Sequence, residues 1–245
     1  MSPNALEICH YGLTEMVNNA IDHSAGHAVR VELIRTTGSI HLRVIDDGIG
    51  MFQKIADALN LSDPRLSLLE LSKGKFTTDP KRHTGEGIFF TSRSFDRFTI
   101  RSSELLFRHS SRSDDWKFEV EEKSFVGTRV TMSLIVPSSR DLKDVFQRFS
   151  SGPDEYRFAK THVPLKLADY GDEGLLSRSS AKRVLSRVDR FSEVVLDFSN
   201  VGSIGQGFAD EIFRVFRNEH PSVNLIPINA NEQVTQMIRR AQSHV

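Results

Sequence analysis

The 245-residue sequence predicts an α+β sandwich followed by a smaller α/β unit. Three patterns carry that prediction. A helical period at the N-terminus leads into two alternating strands. A further run of strands closes the first unit near residue 136. Beyond residue 160, strands and helices alternate one for one, the pattern of a parallel or mixed sheet.

Residues 4–22 read as a helix, because Leu6, Leu13, Met16, Val17, Ala20 and Ile21 recur at spacings of three, four and seven. Asn4 is expected to cap it, with Glu7 completing a capping box. Residues 28–35 and 40–46 alternate apolar and polar about a Thr36-Thr37-Gly38-Ser39 turn, so they form a hairpin. Residues 52–61 read as a short helix. Residues 62–87 show no sustained period and read as a long loop, a length that is usually functional or disordered. A helix starts near Gly87. Strands are expected at 96–101, 104–109, 115–121 and 127–136, a connecting helix at 138–149, and a linker at 150–155. The second unit reads as strand 161–167, helix 173–188, strand 193–198, helix 207–218, strand 222–228 and helix 231–241. The expected domains are 1–136 and 160–245, joined by 137–159.

Composition narrows the function classes. Hydrophobic residues at 38% and charged residues at 26% describe a globular chain and exclude a disordered one. Lys plus Arg and Asp plus Glu are both 32, so no net field favours nucleic acid or an anionic membrane, and neither partner is expected. The single cysteine, Cys9, cannot close an intrachain disulfide or build a thiolate metal cage. No apolar run reaches the roughly 18–20 residues of a membrane helix, and the first basic residue is Arg30, unlike a signal peptide. A cytoplasmic protein is expected. The scattered histidines, His83 and His244 among them, lack metal-ligand spacing.

Four segments carry chemistry. Glu15, Asn19 and Asp22 share one face of the first helix, and the first two lie beside the apolar stripe rather than opposite it. Asp46-Asp47-Gly48-Ile49-Gly50-Met51 follows a strand end, where glycines let the backbone turn tightly and approach a ligand. His83-Thr84-Gly85-Glu86-Gly87 opens a helix behind the long loop, and a helix N-terminus offers amides to an anion. Gly127-Thr128 begins the last strand of the unit.

In this order the segments resemble the GHKL (Bergerat) ATP-binding fold, the superfamily of gyrase B, histidine kinases and the ninety-kilodalton heat-shock chaperones. The likeness spans residues 4–136. EMVNNAIDHS is similar to the family's first box, DDGIGM to its second, TGEGIFF to its third and GT to its last. KFTTDPKRHTGEG resembles the lid of sensor kinases. The resemblance implies ATP and Mg²⁺ as ligands. Asn19 would hold the metal, and Glu15 would act as base on water or a hydroxyl. Asp46, supported by Thr128, would accept from the adenine amino group. Gly48 and Gly50 would pack beside the base, with Met51 as an apolar wall. Thr84, Gly85 and Gly87 would form the phosphate end and hinge the lid. Lys73, Lys75, Lys81 and Arg82 are its cations, and His23 lies near the phosphate end.

VVLDFSNVGSIGQGFADEIF in the second unit resembles a STAS-like domain. In antagonists of anti-sigma factors a phosphorylatable serine sits at the loop–helix junction. Here the junction reads Ile204-Gly205-Gln206-Gly207-Phe208, and Ser203 comes too early, so phosphorylation is not expected. His10 lies on the Glu15 helix and is read as structural; with only 14 residues before Glu15, no histidine-bearing hairpin is expected. Proteins pairing the two domains often begin with a winged helix, which this sequence does not show. The combined expectation is a bacterial regulatory ATP-binding protein with slow hydrolysis. An anti-sigma-like serine/threonine kinase and a non-catalytic ATP-gated module stand as alternatives. A regulatory protein partner is expected, and a homodimer is left open.

Overall fold

Ser2 starts the first helix, α1 (Pro3–His23), by accepting a hydrogen bond from Ala5 N–H. The cap is therefore Ser2 and not Asn4. Pro3 accounts for the shift: its fixed φ suits the first helical position, where a missing N–H costs nothing. The computed structural model describes residues 1–77, 84–112, 115–152, 155–169 and 174–243. They fall into two units, Met1–Phe146 and Gln147–Val245.

The first unit is built on a four-stranded antiparallel sheet in the order β1-β2-β4-β3. β1 (Val29–Arg35) and β2 (Ser39–Asp46) form the expected hairpin. In β2 the alternation is complete, with Ile40, Leu42, Val44 and Asp46 buried. β3 (Arg97–Ser110) and β4 (Asp115–Ile135) make one long hairpin where four strands were expected. The register shifts between Ser102, Ser103 and Leu105, and Ser103 has a φ of 52°. A bulge there breaks the alternation that marks a continuous strand.

α1, α2 (Met51–Leu59), α3 (Ser67–Lys73) and α4 (Gly87–Ser94) belong to the same unit. α3 corrects the long-loop expectation for 62–87. Asp63 accepts from Arg65 N–H to start a 3-10 turn at Pro64–Leu66, and α3 follows it directly. All seven residues of α3 are buried. α5 (Leu142–Arg148) begins four residues later than expected, because the Asp141 carboxylate accepts from Lys143 N–H at 2.8 Å. The Phe146 ring stands 5.5 Å from Tyr11 and 4.3 Å from Phe90.

In the second unit, residues expected as linker enter a two-stranded sheet of β5 (Ser150–Gly152) and β6 (Glu155–Phe158). β7 (Lys160–Pro164), β8 (Glu193–Asp197) and β9 (Asn224–Ile228) form a parallel sheet in that order. α6 (Arg178–Leu185) is capped by Ser177, which accepts from Ser180 N–H. α7 (Gln206–Asp210) continues through a π-helical turn at Glu211–Phe216 into α8 (Arg217–Glu219). α9 (Glu232–Gln242) is capped by Asn231, which accepts from Val234 N–H.

Candidate functional site

β2 delivers Asp46 at its last position, opposite Thr128 of β4. Only 7% of Asp46 is exposed. Its Oδ1 accepts from Gly48 N–H at 3.0 Å and from Thr128 N–H at 3.1 Å. Thr128 Oγ1 accepts from Met51 N–H at 2.9 Å and is itself hydrogen-bonded to the Asp46 carboxyl. Burial pushes the Asp46 carboxyl above its ordinary value, and the two backbone donors only partly offset it.

Gly127 secures this arrangement. Its φ is +77°, and a side-chain carbon there would overlap the Asp46 carbonyl. Gly50, at φ +89°, caps α2 where a side chain would meet Ser102 Oγ. Gly48 packs elsewhere: a side chain would strike the Ser24 carbonyl, so this glycine seats the loop on the end of α1.

α1 supplies the opposite wall. Glu15 and Asn19 both line a cavity of about 280 Å³, together with Met16, Ala20 and His23. Asp22 does not line it. Asn19 Nδ2 is buried without a hydrogen-bond partner. A buried donor left unpaired is costly, so a polar ligand atom or water belongs there. The third wall comes from Thr84, Gly85, Glu86 and Gly87. At Gly87, the first residue of α4, a side chain would overlap Glu15 Oε2, so the carboxylate rests against that helix start. Gly85, at φ +74°, lies against the Phe76 backbone and brings the two ends of the loop together. Val44, Ile55, Leu71, Phe89 and Val130 supply apolar lining.

Asp46, Gly50, Met51, Thr128, Glu15, Asn19, Thr84, Gly85 and Gly87 thus all border one cavity, and Gly48 stands behind it. Of the expected lid cations, Lys73 is corrected. It is 1% exposed on α3, and its Nζ lies 2.7 Å from Glu70 Oε1 in a buried ion pair. Lys75 acts electrostatically on Glu86. Lys81, Arg82 and His83 lie outside the described residues, as does His244.

Two charged residues at the cavity were missed. Lys54 of α2 lines it, its Nζ donating to the His23 carbonyl. Glu86 also lines it; burial raises its carboxyl, Lys75 opposes this, and the Glu15 charge raises it further. Tyr11 is raised first by burial and then by both Glu15 and Glu86, so two carboxylates act on one phenol. Glu86 lies within the His83–Gly87 segment, and only folding brings its charge to Glu15. Among the described residues no three His, Cys, Asp or Glu side chains gather into a metal cage. A cation here would take most of its ligands from a bound molecule and solvent, as Mg²⁺ does.

The histidine kinase-, DNA gyrase B- and HSP90-like ATPase family model matches residues 7–138. A STAS-like domain of unknown function matches residues 180–235. The comparison with curated proteins returned no match. Among solved structures, the 43K ATPase domain of Thermus thermophilus gyrase B, in complex with an aminocoumarin, is similar at 18% identity and a TM-score of 0.34. The alignment covers 57% of this chain and 40% of that one, so the chain spans two fifths of that structure's length. No described helix is long and apolar enough to cross a membrane.

Proposed function

Because the chain belongs to the histidine kinase-, DNA gyrase B- and HSP90-like ATPase family, we propose that it is a regulatory protein that binds Mg·ATP in the cavity of its first unit, hydrolyses it slowly, and switches the STAS-like second unit with the nucleotide state. The observation that carries this reading is the convergence of the buried Asp46–Thr128 pair, the α1 residues Glu15 and Asn19, and the Gly85–Gly87 turn on one cavity.

Asp46 reads the base. A buried carboxylate with two backbone donors on Oδ1 keeps Oδ2 to accept from an exocyclic amino group. Guanine presents a carbonyl at that position and would leave the charge unpaired, at a cost of about 1–3 kcal/mol. Thr128 holds the carboxyl in plane, and Met51 N–H holds the Thr128 hydroxyl. Asn19 serves the phosphate end. Its orphaned amide has a donor end for a phosphate oxygen and an acceptor end for a cation, and rotation about χ2 exchanges them. When bound, Mg²⁺ supplies charge neutralisation between the phosphates. Glu15 orients and deprotonates the attacking water. Its carboxylate is held against Gly87, at the start of the helix that borders the phosphate end.

Titration calorimetry with Mg·ATP tests the binding claim. Wild type binds, and Asp46→Asn loses affinity while its circular dichroism is unchanged. Unchanged affinity in that variant removes the adenine assignment. Incubation with γ-labelled ATP tests the chemistry. Free phosphate from wild type and none from Glu15→Ala, with binding retained, is the expected result. Label on the protein or on an added STAS partner would replace hydrolysis by the serine/threonine kinase reading. Binding without either product would leave an ATP-gated module.

A further inference from the structure

β1 is an edge of the first unit's sheet: β2 lies on one side, and no described strand pairs with the other. Edge strands are usually blunted by proline, a bulge, short length, charged side chains or a covering element, and of these β1 carries charge alone, of both signs, at Arg30, Glu32 and Arg35. β1 has seven residues, an unbroken register with β2 and no proline. Its Val31 and Leu33 stand opposite Val44 and Leu42, so they share the face on which those residues are buried. Yet Val29, Val31 and Leu33 are 36%, 47% and 67% exposed.

The parity of the free edge is fixed by the hairpin. Thr36 N–H donates to Ser39 O, so in steps of two Ile34, Glu32 and Arg30 exchange hydrogen bonds with β2. Val29, Val31, Leu33 and Arg35 therefore turn their N–H and C=O groups outward. This parity admits antiparallel pairing with an identical strand only where the twofold axis passes through a residue.

We propose that β1 pairs with β1 of a second copy about a twofold axis at Val31, joining two four-stranded sheets into one. Charge selects this register. An axis at Arg30 sets that arginine against itself, and one at Glu32 does the same for the carboxylate. An axis at Leu33 sets Val31 against Arg35. An axis at Val31 sets Arg30 against the partner subunit's Glu32 and, by symmetry, Glu32 against the partner subunit's Arg30. Both are non-hydrogen-bonded positions, where side chains come closest. Within its own sheet Glu32 already pairs with Arg30 and with Arg43, the latter at 3.2 Å. The twofold pairing would bring a third cation, the partner subunit's Arg30, to each acid and let the two Arg30–Glu32 pairs be shared across the axis. On the other face Val31 meets its mate and Val29 meets the partner subunit's Leu33, covering the exposed apolar row.

The proposal rests on the sheet edge alone and is independent of the nucleotide reading. Sedimentation velocity of the full chain, from micromolar to hundreds of micromolar, measures it, with circular dichroism to check the fold of every variant. Wild type is expected to dimerise. Val31→Lys, which places two ammonium groups on the axis, is expected to be monomeric. Arg30→Glu and Glu32→Arg are each expected to weaken the dimer by about tenfold or more. The double variant restores it, because the swap re-forms both pairs. A wild type that stays monomeric overturns the proposal. So does a dimer that Val31→Lys leaves intact, or single reversals that the double variant fails to rescue.

Discussion

Under the proposed adenine assignment, the buried carboxyl of Asp46 would tie nucleotide affinity to pH. Its value is raised by burial, so it takes up a proton at a higher pH than an exposed aspartate. Protonation would remove the acceptor that the proposed adenine contact needs. Mg·ATP affinity should therefore be level near neutral pH and fall by about tenfold per pH unit once below the raised value. The Asp46→Asn variant should lack this fall. Stability moves the other way. An acid raised in the folded state weighs against folding above its unfolded value, near 3.8, and that weight lifts as pH drops through the folded value. Calorimetric titrations at stepped pH, alongside thermal melts of the free protein, separate the two signs. Asp46 and Thr128 were legible in sequence because a strand end, two glycines and a later Gly-Thr mark a recurrent pattern. Glu86 and Lys54 were not, since their importance lies in neighbours that only the fold supplies.

Elements were legible where they show water one face and the core another. β2 buries every second residue, so its period of 2 can be read directly, whereas β1 buries none. α1 was legible as a helix, but its buried row is Ala5, Ile8, Cys9, Gly12, Met16 and Ala20. Leu6 and Ile21 of the expected stripe are exposed, because small residues take most of the packed face and only Ile8 and Met16 are large. α3 has no exposed face: with all seven residues buried, it lacks the amphipathic contrast that identifies a helix. The β3–β4 hairpin read as four pieces because the bulge at Ser102–Ser103 and the left-handed Gly127 interrupt its alternation. α1 carries a further constraint at Gly12. A side-chain carbon there would overlap the Phe95 ring and come within 3.1 Å of Met132 Sδ. Gly12→Ala gains helix propensity of about 1 kcal/mol but forces the ring to move, and overpacking typically costs about 1–3 kcal/mol. We expect a net loss of about 1 kcal/mol and a lowered melting temperature. Gly38→Ala, with nothing within 4 Å of the new carbon, should leave the melt unchanged. Equal melts for the two variants would remove the close-packing account of α1.

At the scale of the whole molecule, one buried acid in each unit, Asp46 in the first and Asp197 in the second, responds to acid with opposite sign. In the second, burial raises Asp197, but hydrogen bonds from His162, Asn229 and Ser199 outweigh it and hold the carboxyl well below its ordinary range. His162 Nε2 lies 3.0 Å from Asp197 Oδ2 and Asn229 Nδ2 lies 2.9 Å from Oδ1, so the parallel strands β7 and β8 and the residue after β9 meet at one acid. A depressed carboxylate contributes stability that is complete above its unfolded value and lost as pH falls toward the folded one. Below about pH 4 the second unit should therefore loosen, and in Asp197→Asn that acid-dependent loss should disappear. Unit-resolved proteolysis across this range checks it. In the first unit, a single hydroxyl joins the Asp46 carboxyl to a helix. Met51 opens α2, its amide ends on Thr128 Oγ1, and the same oxygen is bound to Asp46. If Asp46 accepts from a bound amino group as proposed, the charge withdrawn from it would alter the acceptor strength of that oxygen. On that reading the first turn of α2 would register occupancy before any segment moved, and the cavity wall would also be a transmission line.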